Sequence, residues 1–100
     1  MLTPVTPDEV RQKLAGHEAE FRALRVRRLW LFGSSARGEA RPDSDLDILV
    51  AFEGLCTYEQ YSSLRCFLED VLGREVDLVE ETALRPRVRP FVERDAVRVA

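Results

Sequence analysis

The stretch Leu31-Phe32-Gly33-Ser34-Ser35-Ala36-Arg37-Gly38-Glu39-Ala40-Arg41-Pro42-Asp43-Ser44-Asp45-Leu46-Asp47-Ile48-Leu49-Val50 decides both the fold and the chemistry of this chain. An apolar strand ends in Gly-Ser, a polar loop follows, and Asp45-x-Asp47 opens a second apolar strand. Side chains two residues apart on a strand share one face at a spacing of about 7 Å. Two carboxylates placed in this way suit a hard divalent cation.

Strand pairing is predicted from the length of the connections. We expect strands over 26–32 and 45–52, and the link between them is too short for a parallel crossover, so it favours an antiparallel pair. A third strand over 75–80 follows a longer connection that permits a right-handed parallel crossover. In this strand Asp77 alternates with Val76 and Leu78, so it should lie beside the Asp45 and Asp47 pair if strands two and three are parallel neighbours.

Capping residues and apolar periodicity predict the helices. We expect one N-terminal helix from the N-cap Thr6 to about Arg25, and a second from the N-cap Thr57, with Gln60 in a capping box, to Gly73. A short helix after Thr82 and a terminal strand over 96–99 complete the chain. The arginines of this last region are interpreted as a solvated helix face; they are Arg85, Arg87, Arg89 and Arg94.

Bulk properties limit the function classes. One hundred residues predict a single domain, 1–100, with one modest core. A net charge of −3 and a pI near 5.2 argue against direct nucleic-acid binding, because no basic excess is available to neutralise phosphates. No apolar run reaches the length of a membrane span and no leader pattern is present, so we expect a cytoplasmic protein without membrane contact.

The spacing of the central motif resembles a known signature. Gly33-Ser34, ten residues, and then Asp45-x-Asp47 is similar to the motif of the DNA polymerase beta-like nucleotidyltransferase superfamily, in its minimal branch. The resemblance implies an α/β protein with the polymerase beta-like nucleotidyltransferase fold, a small mixed sheet with helices packed on one face. Asp-x-Asp or Gly-Ser alone would indicate ordinary turn chemistry. Their combination at this spacing favours the family.

The resemblance also implies roles for the site residues. Asp45 and Asp47 would bind two Mg²⁺ ions, and Asp77 would bind one of them and help to take the proton of the acceptor hydroxyl. Gly33 and Ser34 would contact the phosphates of ATP. Arg37 would meet the charge of the triphosphate, although a solvated loop arginine is an equal alternative, and Gly38 would serve the turn.

Minimal nucleotidyltransferases are typically paired with a HEPN-domain toxin. The resemblance therefore implies an antitoxin that transfers AMP from ATP to a tyrosine hydroxyl of such a partner, within a homo- or hetero-oligomer. Two alternatives stay open: an antitoxin that neutralises its toxin by binding alone, and a transferase with a small-molecule acceptor. Ser35 stands where an arginine is frequent in the minimal branch, so the resemblance does not extend to that phosphate or partner contact.

Overall fold

The computed structural model of the chain describes residues 5–37 and 45–100, apart from the side chain of Ser34. The turn predicted at Gly38 lies outside these residues. Within the described ranges, no helix is both long enough and apolar enough to cross a membrane.

A mixed sheet forms the centre of the fold. Its strands lie in the order β3-β2-β1-β4. Strand β1 is antiparallel to both β2 and β4, and β2 is parallel to β3, which confirms the two predicted pairings. The strands are β1 (Val26–Leu31), β2 (Leu46–Phe52), β3 (Val76–Glu80) and β4 (Val97–Arg98).

One face of the sheet packs against helices α1 (Pro7–Leu14), α2 (Glu18–Ala23) and α4 (Tyr58–Leu72). Alternation along β2 turns three of its side chains, Leu46, Ile48 and Val50, into this core, where they meet Leu64 and Leu68 of α4. Complete burial of one such side chain is worth about 1.5–3 kcal/mol. The same alternation directs Asp47 to the opposite face.

Helix α4 begins and ends where the sequence predicts. The Thr57 hydroxyl accepts the backbone N–H of Gln60 at 3.1 Å, and the Gln60 side chain accepts the backbone N–H of Thr57 at 2.9 Å. This is the predicted capping box. Gly73 ends the helix in the left-handed conformation, with φ of 70°.

The prediction of one N-terminal helix to about Arg25 is wrong. Thr6 caps α1 as expected, but α1 ends at Leu14 and α2 starts at Glu18. Between them Gly16 adopts a φ of 88°, a conformation that glycine allows and a continuous helix does not. The break redirects the chain while Leu14 and Phe21 both stay in the core.

Two short helices complete the described structure. Helix α3 (Gly33–Ala36) follows β1, and α5 (Arg89–Asp95) lies against α3 after a 3₁₀ turn at Glu81–Ala83. Pro90 lies in the first turn of α5, as predicted. The predicted solvated arginines are exposed at 85, 87 and 94, whereas Arg89 bridges Glu81 and Glu93.

Candidate active site

The parallel register of β2 and β3 brings two predicted carboxylates together. Asp47 is paired directly with Asp77, and Leu46 is paired with Val76. Both aspartates project from the face of the sheet opposite the helical core. Asp45 immediately precedes β2 and is exposed, as is Asp77. The structure therefore places Asp77 beside the Asp45-x-Asp47 motif, as the sequence predicts.

Gly33 lies against the Asp47 carboxylate. It opens α3 directly after β1, and its φ of +61° lies in the left-handed region. A Cβ atom at this position would come within 3.1 Å of Oδ2 of Asp47. A side chain here would thus be both conformationally strained and crowded against the carboxylate. Glycine leaves a small open space beside the predicted metal ligand.

Two backbone hydrogen bonds fix Asp47. Its N–H donates to Oγ of Ser35 at 3.0 Å, and its C=O accepts the N–H of Phe32 at 3.1 Å. Ser35 is completely buried, so this hydroxyl has no access to solvent. Sequence reasoning marked Ser35 only as a departure from the family motif. Its role in holding Asp47 becomes visible only when α3 is placed next to β2.

Electrostatics at this site disfavour three negative charges. Burial, followed by the charges of Asp77 and Asp45, raises the pKa of the Asp47 carboxyl above its usual range. A bound cation would relieve this repulsion, so the donor chemistry fits Mg²⁺. Across residues 5–37 and 45–100, no three His, Cys, Asp or Glu side chains form a ready-made metal cluster. Mg²⁺ usually completes its coordination with waters and substrate phosphates.

The predicted nucleotide-binding residues occupy α3. Ser34 lies in this helix next to Gly33, and its side chain is outside the described structure. Arg37 caps the C-terminal end of α3 and forms an ion pair with Asp95 of α5, with 3.8 Å between Nη1 and Oδ2. Half of each of these two side chains is exposed. The ion pair places Arg37 at the end of α3 that faces α5.

Comparison with known proteins gives the family. The model of the nucleotidyltransferase domain family matches residues 13–99, which include every predicted site residue. This chain belongs to that family. The predicted polymerase beta-like fold is thereby confirmed, since the solved structures compared below share it.

The nucleotidyltransferase chain has close relatives among archaeal proteins and solved structures. It is 40% identical over 96 residues to protein adenylyltransferase MntA of Thermococcus cleftensis, a match that covers 95% of this chain and 97% of the relative. A solved structure described as a minimal nucleotidyltransferase is 41% identical, with a TM-score of 0.80 over 93% of this chain and 95% of the other.

A more distant structure shares the fold alone. It is a complex of a tri-AMPylated HEPN toxin from Shewanella oneidensis with its MNT antitoxin. The matching chain is 18% identical, with a TM-score of 0.65 over 95% of this chain and 72% of that one.

Proposed function

We propose that this nucleotidyltransferase transfers AMP from ATP to a tyrosine hydroxyl of a HEPN-type partner protein and so acts as an antitoxin. The observation that carries the proposal is the paired Asp47 and Asp77, with Gly33 packed against the Asp47 carboxylate. The relative that covers nearly all of the chain is named as a protein adenylyltransferase. The likeness of fold to an antitoxin that is bound to an AMPylated HEPN toxin supports the choice of partner.

In this proposal Asp45, Asp47 and Asp77 would hold two Mg²⁺ ions. When bound, such ions neutralise charge on the phosphates and on the attacking and leaving oxygens. The chain itself keeps Asp47 fixed, since Ser35 and the backbone of Phe32 hold both of its peptide groups. A ligand that cannot shift is pre-organised for the charge that develops during transfer.

The transfer step forms one bond and breaks one bond. The acceptor hydroxyl oxygen bonds to the α-phosphorus of ATP, the bond from that phosphorus to the bridging oxygen breaks, and pyrophosphate leaves. Asp77, which is exposed at the edge of the site, takes the hydroxyl proton. Gly33 lets the backbone approach the phosphates, Ser34 offers its N–H and hydroxyl, and Arg37 meets the remaining negative charge.

Intact mass spectrometry of the partner tests this proposal. The HEPN-type protein is incubated with the enzyme, ATP and Mg²⁺, and we expect its mass to rise by one or more AMP units. The Asp47→Asn variant of the enzyme keeps the side-chain shape but removes the charge, so the mass of the partner should not rise. Asp70→Asn is the matched control, because Asp70 is exposed on α4, away from the motif. A stable complex without any mass gain would instead assign inhibition by binding alone.

A further inference from the structure

A cleft lies at the far end of the sheet from the candidate active site. It has a volume of about 790 Å³ and is bordered by the start of β1 and by Glu53, just after the end of β2. Along β2, Glu53 lies roughly 20 Å from Asp47 at about 3.3 Å per residue. A ligand in this cleft would therefore leave the aspartate site open. We call this cleft, which is lined by several arginines, the arginine cleft.

Exposed arginines dominate the lining of the arginine cleft; they are Arg11, Arg22, Arg25, Arg27 and Arg28. Two acidic side chains, Glu18 and Glu53, line it with them, and Arg11 is paired with Asp8 outside the lining. Within residues 5–37 and 45–100, the guanidinium groups at 25, 27 and 28 make no ion pair or hydrogen bond. The cleft thus carries a positive excess on a chain whose net charge is −3.

The backbone is strained at Arg25. This residue follows the C-cap of α2 with a φ of +61°, and it is the one non-glycine residue of the described ranges with positive φ. Glycine is the usual residue at this position after a helix, because a Cβ is disfavoured there. An arginine at this position therefore carries a conformational cost, and its side chain lines the cleft.

A β-bulge adds a second irregularity. Val26 is paired with Phe52 and Arg28 with Ala51, so Arg27 is an extra residue without a partner on β2. In a regular strand, neighbouring residues alternate between the two faces of the sheet. Bulges bend the strand and re-aim side chains, and here Arg27 and Arg28 both border the same cleft. Two separate departures from regular backbone thus gather arginines at one place.

The floor of the arginine cleft is apolar. It includes Leu14, Phe21, Val26 and Val99. Phe21 is only 7% exposed, so the lining offers no aromatic surface on which a nucleic-acid base would stack. Leu14 and Val99 are buried as well, and Val26 is the partly exposed residue of these four. An apolar floor with a cationic rim matches an amphipathic anion, and the acidic net charge of the chain disfavours a polyanion such as RNA.

We propose that the arginine cleft binds an acidic, amphipathic segment of a partner protein. An apolar side chain of the segment packs on the partly exposed Val26, and its carboxylates meet the guanidinium groups, which bind carboxylates in a bidentate geometry. This docking site goes beyond AMP transfer and does not depend on it. A partner held here would be tethered to the enzyme while the aspartate face stays accessible.

Fluorescence anisotropy with a synthetic peptide tests the arginine cleft. The probe is a labelled helical peptide with leucine on one face and glutamate on the other. The control peptide carries lysine in place of glutamate. We expect the intact protein to bind the glutamate peptide but not the lysine peptide, with an affinity that falls as salt rises. The Arg25→Gly/Arg27→Gln variant should bind about tenfold or more weakly, and the control Arg65→Gln on α4 should bind normally.

The variants separate loss of the site from loss of the fold. Arg25→Gly relieves the positive φ, so its melting temperature should not fall, and weaker binding then reports the missing charge. Asp47→Asn should bind the peptide like the intact protein, so a failure of AMP transfer leaves this test unaffected. The proposal is overturned if the intact protein does not bind the glutamate peptide, if the double variant binds it equally well, or if single-stranded RNA binds more tightly.

Discussion

Replacement of Gly33 by alanine isolates the contact with the Asp47 carboxylate. At a φ of +61° an L-residue is disfavoured by about 1–2 kcal/mol, and the lower entropy of the unfolded chain returns about 0.4–1 kcal/mol. Gly54 has a φ of +73°, and no atom lies within 4 Å of the position that a Cβ would take there. Gly33→Ala and Gly54→Ala therefore share the backbone cost, and only the first adds a methyl group at 3.1 Å from Oδ2 of Asp47.

The two variants should be similar in stability and different in activity. A net cost of about 1 kcal/mol lowers the melting temperature of a domain of this size by about 4–8 °C. A displacement of the carboxylate by up to about 1 Å lowers the transfer rate by up to about 100-fold. We therefore expect Gly33→Ala to lose most AMP transfer while Gly54→Ala keeps it. Full activity in Gly33→Ala, or an equal loss in Gly54→Ala, would refute this reasoning.

Three further substitutions probe the site and the scaffold. Ser35→Ala leaves the Asp47 N–H without its acceptor and should cost about 1–3 kcal/mol in urea unfolding, so an unchanged midpoint would contradict the hydrogen bond. Metal-free Asp47→Asn should melt above the intact protein at neutral pH. The pKa of Asp47 in the folded protein is raised above the usual 3.8. The stability advantage of Asp47→Asn is therefore absent below pH 3.8 and builds as the pH rises from there to the raised pKa. Equal melting temperatures at neutral pH would argue against the repulsion. Thr57→Ala should cost about 1 kcal/mol through the lost cap of α4, measured by thermal unfolding against the control Ser63→Ala, an exposed position within the same helix.

The main features of the site are predictable because they depend on short-range rules. Alternation along a strand places Asp45 and Asp47 on one face, and a short link selects the antiparallel pair of β1 and β2. The same alternation in β3 selects Asp77 rather than Val76. The register of the parallel strands β2 and β3 then brings Asp47 and Asp77 together.

Other features depend on contacts that a linear pattern does not contain. Apolar spacing continues across Gly16, so periodicity alone cannot separate α1 from α2, and the left-handed turn becomes evident only in the packed structure. Helix α3 is too short to show any periodicity. The hydrogen bond from Asp47 to Ser35 requires the placement of that helix against β2. The bulge at Arg27 likewise follows from strand pairing.

Transfer of label from ATP to the partner tests the central claim most directly. ATP labelled at the α-phosphorus and ATP labelled at the γ-phosphorus are each incubated with Mg²⁺, the HEPN-type partner and either the intact protein or Asp47→Asn. The account predicts that the partner acquires the α-label alone, only with the intact protein, and that a chelator abolishes the transfer. Transfer of the γ-label, or equal α-labelling by Asp47→Asn, would contradict it.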